Sequence, residues 1–409
     1  MPVDRLEKSL GDEREELRAK GPLKGDEDVI TEVVPAAGEF GPRYRLADKD
    51  DRLFLRMNSN SYLGMSLRPE VIAAEEEVAQ AYGTGPGAVR FISGTFQPHQ
   101  ELERRLAAFH GRQAAMIYSS AYAATMGVLP SLITTETAVI SDELNHNCII
   151  NAMRLARPGE KHIYRHLDMG DLEAKLRAAA DGCVRAIVIT DGIFSMRGDW
   201  APLPQIMDLA HKYDDQFPEN VAVIVDDSHG VGAFGQTGRG TEEFTESQPV
   251  DILVATLGKA LGVNGGYVVG GEALVAYLRE KSAFYIYSNP ITPAEAGAAV
   301  RALEILDSTI GRALLDQLRA MTSRFEQGLF QLGYETIPGQ HPIVPLMVRD
   351  TARTSALVQH LKENSVLATG LNFPVVPKGD EEIRFQISAD HTAADIDFTL
   401  GVLESFSDR

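Results

Sequence analysis

Apolar positions along this chain fall into two alternating rhythms. Short runs rich in Val, Ile, Leu and Ala occupy 114–118, 138–141 and 185–190, and two more begin at Val221 and Asp251. Each is too short for a helix and reads as a buried strand. Between them lie stretches with helical spacing at 69–82, 100–110, 149–156, 171–180 and 203–213, and Ser119-Ser120-Ala121-Tyr122-Ala123-Ala124 is expected to open another helix. Strand and helix in regular alternation predict an α/β domain with a mostly parallel sheet and helices on both faces. The rhythm changes near residue 295. Helices are expected at 294–307, 313–332 and 393–407, with apolar strands at 341–348 and 382–388, giving a smaller α+β unit. At the other end, 3–20 mixes acidic and basic residues with Leu6, Leu10 and Leu17. It reads as an exposed amphipathic helix stopped by Gly21-Pro22. A small hairpin follows at 44–47 and 53–57, split by the charged turn 48–52. The expected division is an N-terminal arm and hairpin (1–57), a large domain (58–294) and a small C-terminal domain (295–409).

Composition narrows the function. The 409 residues are 44% hydrophobic and 24% charged, as in ordinary globular chains, and are enough for one large core plus a second domain. A formal net charge of −19 leaves no basic surplus to neutralise nucleic-acid phosphates, though a small anionic substrate needs only a local basic patch. Two cysteines, Cys148 and Cys183, cannot build a disulfide framework. For Cys148 a buried thiol and a catalytic one are both open. Neither a signal-peptide pattern nor an apolar run near the roughly 20 residues of a membrane helix is present, so a cytoplasmic protein off the membrane is expected.

The candidate chemistry gathers where strands end. Val221-Ala222-Val223-Ile224-Val225-Asp226-Asp227-Ser228-His229 delivers carboxylates and an imidazole. Leu257-Gly258-Lys259-Ala260-Leu261-Gly262 delivers a lone lysine between glycines. Strand ends are where open α/β sheets place ligand chemistry. A lysine in a walled site can lose its proton and form an imine with an aldehyde. A pyridine aldehyde cofactor needs that imine and an anion beside its ring nitrogen, for which Asp226 is the candidate. His229 stands three residues on, and His146, after another strand, can lie flat over a ring. The Ser120 turn offers a helix N-terminus for a phosphate. A metal site built from Asp226, Asp227, His229 and His146 is the rival, but it leaves Lys259 and the Ser120 turn unexplained. The glycine-rich loop 83–87 fails as a dinucleotide fingerprint because it follows a helix and has Ala88 at the third glycine position, and no P-loop occurs. Arg384, within an alternating strand pattern, is either an outward-facing residue or a bidentate clamp for a carboxylate.

With these positions in hand, the chain resembles the α-oxoamine synthases, pyridoxal-phosphate enzymes of fold type I. The likeness runs through Asn60 to Gly64, Arg90-Phe91-Ile92-Ser93-Gly94-Thr95, Tyr118-Ser119-Ser120, Ser141-Asp142 with Asn145-His146, and Thr190-Asp191-Gly192-Ile193-Phe194-Ser195-Met196. It continues through Asp226-Asp227-Ser228-His229, the Thr256–Gly262 segment, Pro374-Val375-Val376-Pro377-Lys378-Gly379 and Ile383-Arg384. It implies a seven-stranded, mostly parallel sheet flanked by helices, a smaller α+β domain and pyridoxal 5′-phosphate as cofactor. It also implies roles. Lys259 would carry the cofactor and shuttle protons, Asp226 would pair with the pyridine nitrogen, His229 and Ser195 would bond near the ring oxygen, and His146 would stack. Ser120, the Ala121 and Tyr122 amides and Thr256 would hold the phosphate, joined by Ser288 and Asn289 from the second subunit of a homodimer. Asn60 and Arg384 would orient the substrate carboxylate.

Within the family, Arg90–Thr95, Asp226-Asp227-Ser228-His229, Tyr287-Ser288-Asn289 and Pro374–Gly379 are most similar to the glycine C-acetyltransferase branch. That implies a reversible condensation, decarboxylative-type or Claisen-like, of an amino acid, glycine first, with an acyl-CoA, acetyl-CoA first, giving 2-amino-3-oxobutanoate and CoA. Departures at Pro98, Arg197 and Pro290, and a loop Gly262-Val263-Asn264-Gly265-Gly266 that is shorter than in that branch and more like 8-amino-7-oxononanoate synthase, keep other amino acids and longer thioesters open, as in that synthase or serine palmitoyltransferase. A pyridoxal-phosphate aminotransferase is the reading from another reaction class.

Overall fold

The computed structural model describes residues 3–20, 27–47, 49, 51–373 and 375–406. Gly21-Pro22, Asp48 and Asp50 of the hairpin turn, Pro374 and Ser407, all used above, lie outside them. Backbone packing divides the chain into two compact units, one of 60–319 with 340–342, the other of 1–59, 320–339 and 343–409.

The larger unit is built on a seven-stranded sheet: β1 Ala114–Tyr118, β2 Thr137–Asp142, β3 Glu160–Tyr164, β4 Arg185–Asp191, β5 Val221–Asp226, β6 Ile252–Thr256 and β7 Gly266–Gly270. Their spatial order is β1-β7-β6-β5-β4-β2-β3. Every pair is parallel except those of β7, which runs antiparallel to both β1 and β6. Consecutive residues such as Val223 and Ile224, or Leu253 and Val254, are all buried. Side chains alternate across a strand, so both faces of the sheet are covered, as a parallel sheet requires. One face packs its Met116, Ile189, Ile224 and Val254 into the same core as α2 (Ala121–Leu132) and α3 (Asn147–Ala156). Near the other edge α1 (Gln97–Phe109) packs on β1 and β7.

Several expected elements move by a turn or less, each for a local reason. α1 starts at Gln97 because Pro98, in the first turn, has no N–H to leave unsatisfied. α3 begins at Asn147, so His146 becomes its cap. The helix Pro293–Leu306 groups with the larger unit, beside α1 and the helix Pro69–Tyr82, whereas the sequence rhythm placed it with the small domain. Its alanines at 296, 298, 299 and 302 are buried there.

The smaller unit holds two four-stranded sheets. One sets Arg43–Leu46 antiparallel to Leu53–Arg56, as the expected hairpin, and adds Ile30–Val34 and Val366–Leu367. The other runs Glu335–Thr336, Ile343–Met347, Glu382–Gln386, Thr369–Leu371. No helix among the described residues is long and apolar enough to cross a membrane.

Candidate active site

The C-terminal ends of the parallel strands carry the chemistry to one cavity. Register pairs Asp191 of β4 with Asp226 of β5, and Gly266 of β7 with both Thr256 of β6 and Tyr118 of β1. A cavity of about 260 Å³ opens at this rim, lined by Ser120, Ala121, Tyr122, His146, Ser195, Asp226, His229, Thr256 and Lys259. Cys148, Asp191, Ile193 and Ser228 complete the wall. Drug-sized ligands occupy roughly 300–1,000 Å³, so this space suits one small substituted ring, not a dinucleotide.

At one end Ser120 caps α2, its Oγ accepting from Ala123 N at 3.0 Å. The amides of Ala121 and Tyr122, first in the helix, have no acceptor within it, and the helix dipole adds positive potential there. Gly266 makes the approach possible. A Cβ on it would lie 2.1 Å from Ala121 N. The Thr256 hydroxyl donates to Gly265 O at 3.1 Å and accepts from Gly258 N at 3.0 Å, so its single proton is engaged within the loop.

At the other end sits Asp226, buried, with Oδ1 accepting from Ser228 N (3.2 Å) and Oδ2 from Thr125 Oγ1 (3.3 Å) and the Cys148 thiol (3.5 Å). Burial pushes the Cys148 thiol well above its ordinary range, with Asp226 adding to the effect, so it acts as a donor and not as a thiolate. The neighbouring Asp191 carboxyl is also raised well above the usual carboxylate range, by burial first and then by Asp226. Its Oδ2 accepts from His146 N at 3.0 Å. Asp191 Oδ1 and Ser228 Oγ are buried in the wall with no protein partner. Unpaired buried polar atoms are costly, and their presence here fits a wall made for a polar guest.

His146 Nδ1 accepts from Cys148 N at 3.2 Å, and desolvation lowers the ring's pKa, with Lys259 adding and Asp226 opposing. The imidazole is therefore held neutral. His229 Nδ1 shares a 2.8 Å hydrogen bond with the hydroxyl of Tyr62, a fully buried side chain that also donates to Asn60 Oδ1 at 3.3 Å. His341 Nε2 bonds the His229 carbonyl at 2.9 Å. Lys259 follows β6 in a turn closed by Gly262 N donating to Lys259 O at 3.0 Å. Gly262 has φ +70°, and a Cβ on it would meet Ser66 N at 2.4 Å, so a crowded backbone accounts for this glycine without invoking a ligand.

Asn60, Ser288, Asn289 and Arg384 are not among the lining residues. Asn60 joins through Tyr62. Ser288 and Asn289 follow the short helix Ala283–Ile286 on an exposed stretch, and Arg384 belongs to the strand Glu382–Gln386 of the smaller unit. Sequence reasoning missed Tyr62 and Thr125 as site residues. Tyr62 lies inside the Asn60–Gly64 motif, and Thr125 stands four residues after Ala121 on the same helix face. Among the described residues no group of three or more His, Cys, Asp and Glu is arranged to hold a metal ion.

A family described as aminotransferase class I and II matches residues 53–403. Bovine (Bos taurus) mitochondrial 2-amino-3-ketobutyrate coenzyme A ligase is 41% identical over 95% of this chain and 89% of its own. The 8-amino-7-oxononanoate synthase of Thermosipho melanesiensis is 40% identical over 87% of this chain and 88% of its own. A solved structure of SPT with its PLP internal aldimine superposes with a TM-score of 0.84 at 26% identity, covering 98% of this chain and 96% of that one.

Proposed function

The chain belongs to the aminotransferase class I and II family and, within it, to the α-oxoamine synthases, and on that premise we propose that it condenses glycine with acetyl-CoA, reversibly, to 2-amino-3-oxobutanoate and CoA. It is a pyridoxal-phosphate acyltransferase. The observation that carries the reading is the convergence of Lys259, Asp226, His146 and His229 on one small cavity with the N-terminus of α2 at its end. When bound, the cofactor supplies an electron sink for a carbanion at the amino acid Cα.

The chain's own residues do the rest. Lys259 Nζ would hold the cofactor and, once the substrate amine has taken its place and left it a free amine, would take and return the Cα proton. The Asp226 carboxylate, oriented by Ser228 N and Thr125, would hold a proton at the pyridine nitrogen. His146, neutral, offers an apolar ring face. His229, steadied by Tyr62, bonds near the ring oxygen together with Ser195. Ser120 and the Ala121 and Tyr122 amides would take the phosphate, with Thr256 once its hydroxyl turns from Gly265 O, and Ser288 and Asn289 of a second copy in a homodimer. Asn60 and Arg384 are proposed for the substrate carboxylate on the resemblance alone. Glycine and acetyl-CoA are favoured by the motif likeness at 90–95, 287–289 and 374–379 and by the greater share of this chain that aligns with the bovine ligase. The short loop 262–266 favours a second reading, an amino acid joined to a longer thioester. A cytoplasmic location accords with two buried free cysteines.

A visible absorption band lost on borohydride treatment and missing from Lys259→Ala is expected. Its absence from cofactor-treated protein would sink the reading. Release of free thiol from acetyl-CoA only when glycine is present distinguishes the synthase from an aminotransferase. Turnover with a longer thioester and none with acetyl-CoA selects the second reading.

A further inference from the structure

A histidine outside the cavity ties together two of the loops that wall it. His166 follows β3. Its Nδ1 lies 3.0 Å from Asp142 Oδ1 and its Nε2 lies 3.2 Å from Asp199 Oδ2. Asp142 ends β2 and begins the turn that leads to His146. Asp199 closes the 191–199 loop, which brings Asp191, Ile193 and Ser195 to the cavity. Carboxylate oxygens only accept, and a neutral imidazole has one N–H. Two such contacts at once require the imidazolium.

The surroundings support a purpose-built clamp. Asp142 is fully engaged: Oδ1 also accepts from Leu144 N at 2.9 Å and Oδ2 from Leu167 N at 3.0 Å. The second of these bonds holds Leu167 at φ +55°, a left-handed conformation that a leucine adopts only when its surroundings impose it. Glu143 Oε1 accepts from the His166 amide at 2.8 Å. Arg197 Nε reaches the same Asp199 oxygen at 2.7 Å, so the arginine that departs from the family pattern joins the far end of the clamp. Phe194 sets its ring edge-on to the imidazole with centroids 4.4 Å apart. These are the groups that face the ring: Asp142 and Glu143 from the turn after β2, Asp199 and, through it, Arg197 from the 191–199 loop. The adjacent Arg165 is turned to Asp168 and Asp171.

We propose that His166, as the imidazolium between Asp142 and Asp199, is a positioning residue that locks the His146 turn to the Ser195 loop and so holds two walls of the cavity in register. Burial lowers the pKa of this ring, but Asp142 and Asp199 outweigh it and carry it up to about 9. The folded value exceeds the ordinary histidine value near 6.5. The lock's contribution to stability is therefore full below about pH 6.5, and the imidazolium itself is lost as pH rises through about 9. It closes the walls over the physiological range and opens them in alkali.

The test uses the full chain with and without pyridoxal phosphate. Only the cofactor-affinity arm rests on the functional reading above. Amide hydrogen exchange of the 192–199 segment in cofactor-free protein, corrected for intrinsic rate, is expected to stay slow to about pH 8 and to rise through a midpoint near 9. Asp199→Asn removes one of the two carboxylates and should move that midpoint down by at least about one pH unit. His166→Asn should abolish the transition, leave the segment fast-exchanging at pH 7 and weaken pyridoxal phosphate binding about tenfold. A residue that served only general stability would lower the melting temperature without moving the midpoint. An unshifted midpoint in Asp199→Asn, or wild-type protection in a folded His166→Asn, overturns the proposal. Should His166→Asn fail to fold, the Asp199→Asn midpoint decides alone.

Discussion

Asp226 and Tyr62 do different work at the scale of single residues. Asp226 meets the cavity directly with its carboxylate, and Ser228 N, Thr125 and Cys148 aim it. Removing the anion in Asp226→Ala should lower kcat at least about 100-fold, the scale for losing an electrostatic partner of a developing charge. Asp226→Glu should recover part of it. Tyr62 acts one step back, through its 2.8 Å bond to His229. Tyr62→Phe deletes that bond and the longer one to Asn60 Oδ1, so steady-state kinetics should show a loss of at least about fivefold, the scale of an ordinary buried hydrogen bond. A larger effect than in Asp226→Ala would reverse their order. The sequence exposed Asp226 because an acid at the tip of an apolar strand breaks the pattern. Tyr62 broke no pattern, since a tyrosine near a helix start is commonplace, and only the fold puts it beside a residue 167 positions away.

Among the elements, the start of α2 and the start of β7 form one device. Ser120 caps the helix, and Gly266 lets the strand pass against it. Ser120→Ala should cost about 1 kcal/mol of stability, measured by denaturant unfolding, and loosen cofactor binding as well. Gly266→Ala places a methyl group within the backbone of Ser120 and Ala121, a collision worth about 1–3 kcal/mol, and should release cofactor on gel filtration. The helix start was readable from serine followed by a helical pattern. The strand was not. Gly266-Tyr267-Val268-Val269-Gly270 has glycine at both ends and reads locally as a loop tip, although it is buried throughout. Glu160–Tyr164 was missed for a different reason. It is an edge strand in which Lys161 and the apolar Ile163 are exposed while Glu160 and His162 are half-buried, so polarity does not follow the strand period.

For the whole molecule, buried histidines set the acid limit. Burial drives His110 and His341 down to about 3 and His391 to about 4. Each stays neutral when folded, while the unfolded chain takes protons below about 6.5. Stability should therefore fall as pH drops from about 6.5 toward 4, by up to ~1.4 kcal/mol per pH unit for each histidine. Asp227 and Glu326, both raised to about 7 by burial, oppose this because they bind protons in the folded state first. His110→Gln should flatten the fall in denaturant midpoint between pH 6 and 4. The proposed homodimer is tested at the same scale. Phe91, Ile92 and Tyr287, in the 90–95 and 287–289 motifs, are 68%, 67% and 80% exposed in the single chain. Phe91→Asp with Ile92→Asp should shift sedimentation toward monomer and lower activity. A fully active monomer would refute the shared site.

Local pattern determined much about this protein. Apolar runs broken by acids, histidine and lysine marked β4, β5 and β6 and the groups at their ends, because burial and chemistry leave opposite signatures within a few residues. The strand order was decided only in three dimensions. Pairing joins residues far apart in sequence, and nothing in the local period of Gly266–Gly270 says that it enters between β1 and β6, antiparallel to both. That insertion brings Gly266 against Ala121 and beside Thr256, where the helix N-terminus can face the groups on β5 and β6. Likewise His166 reads as an ordinary loop residue until folding sets a carboxylate on each side of its ring, and then geometry, not residue type, makes it a cation.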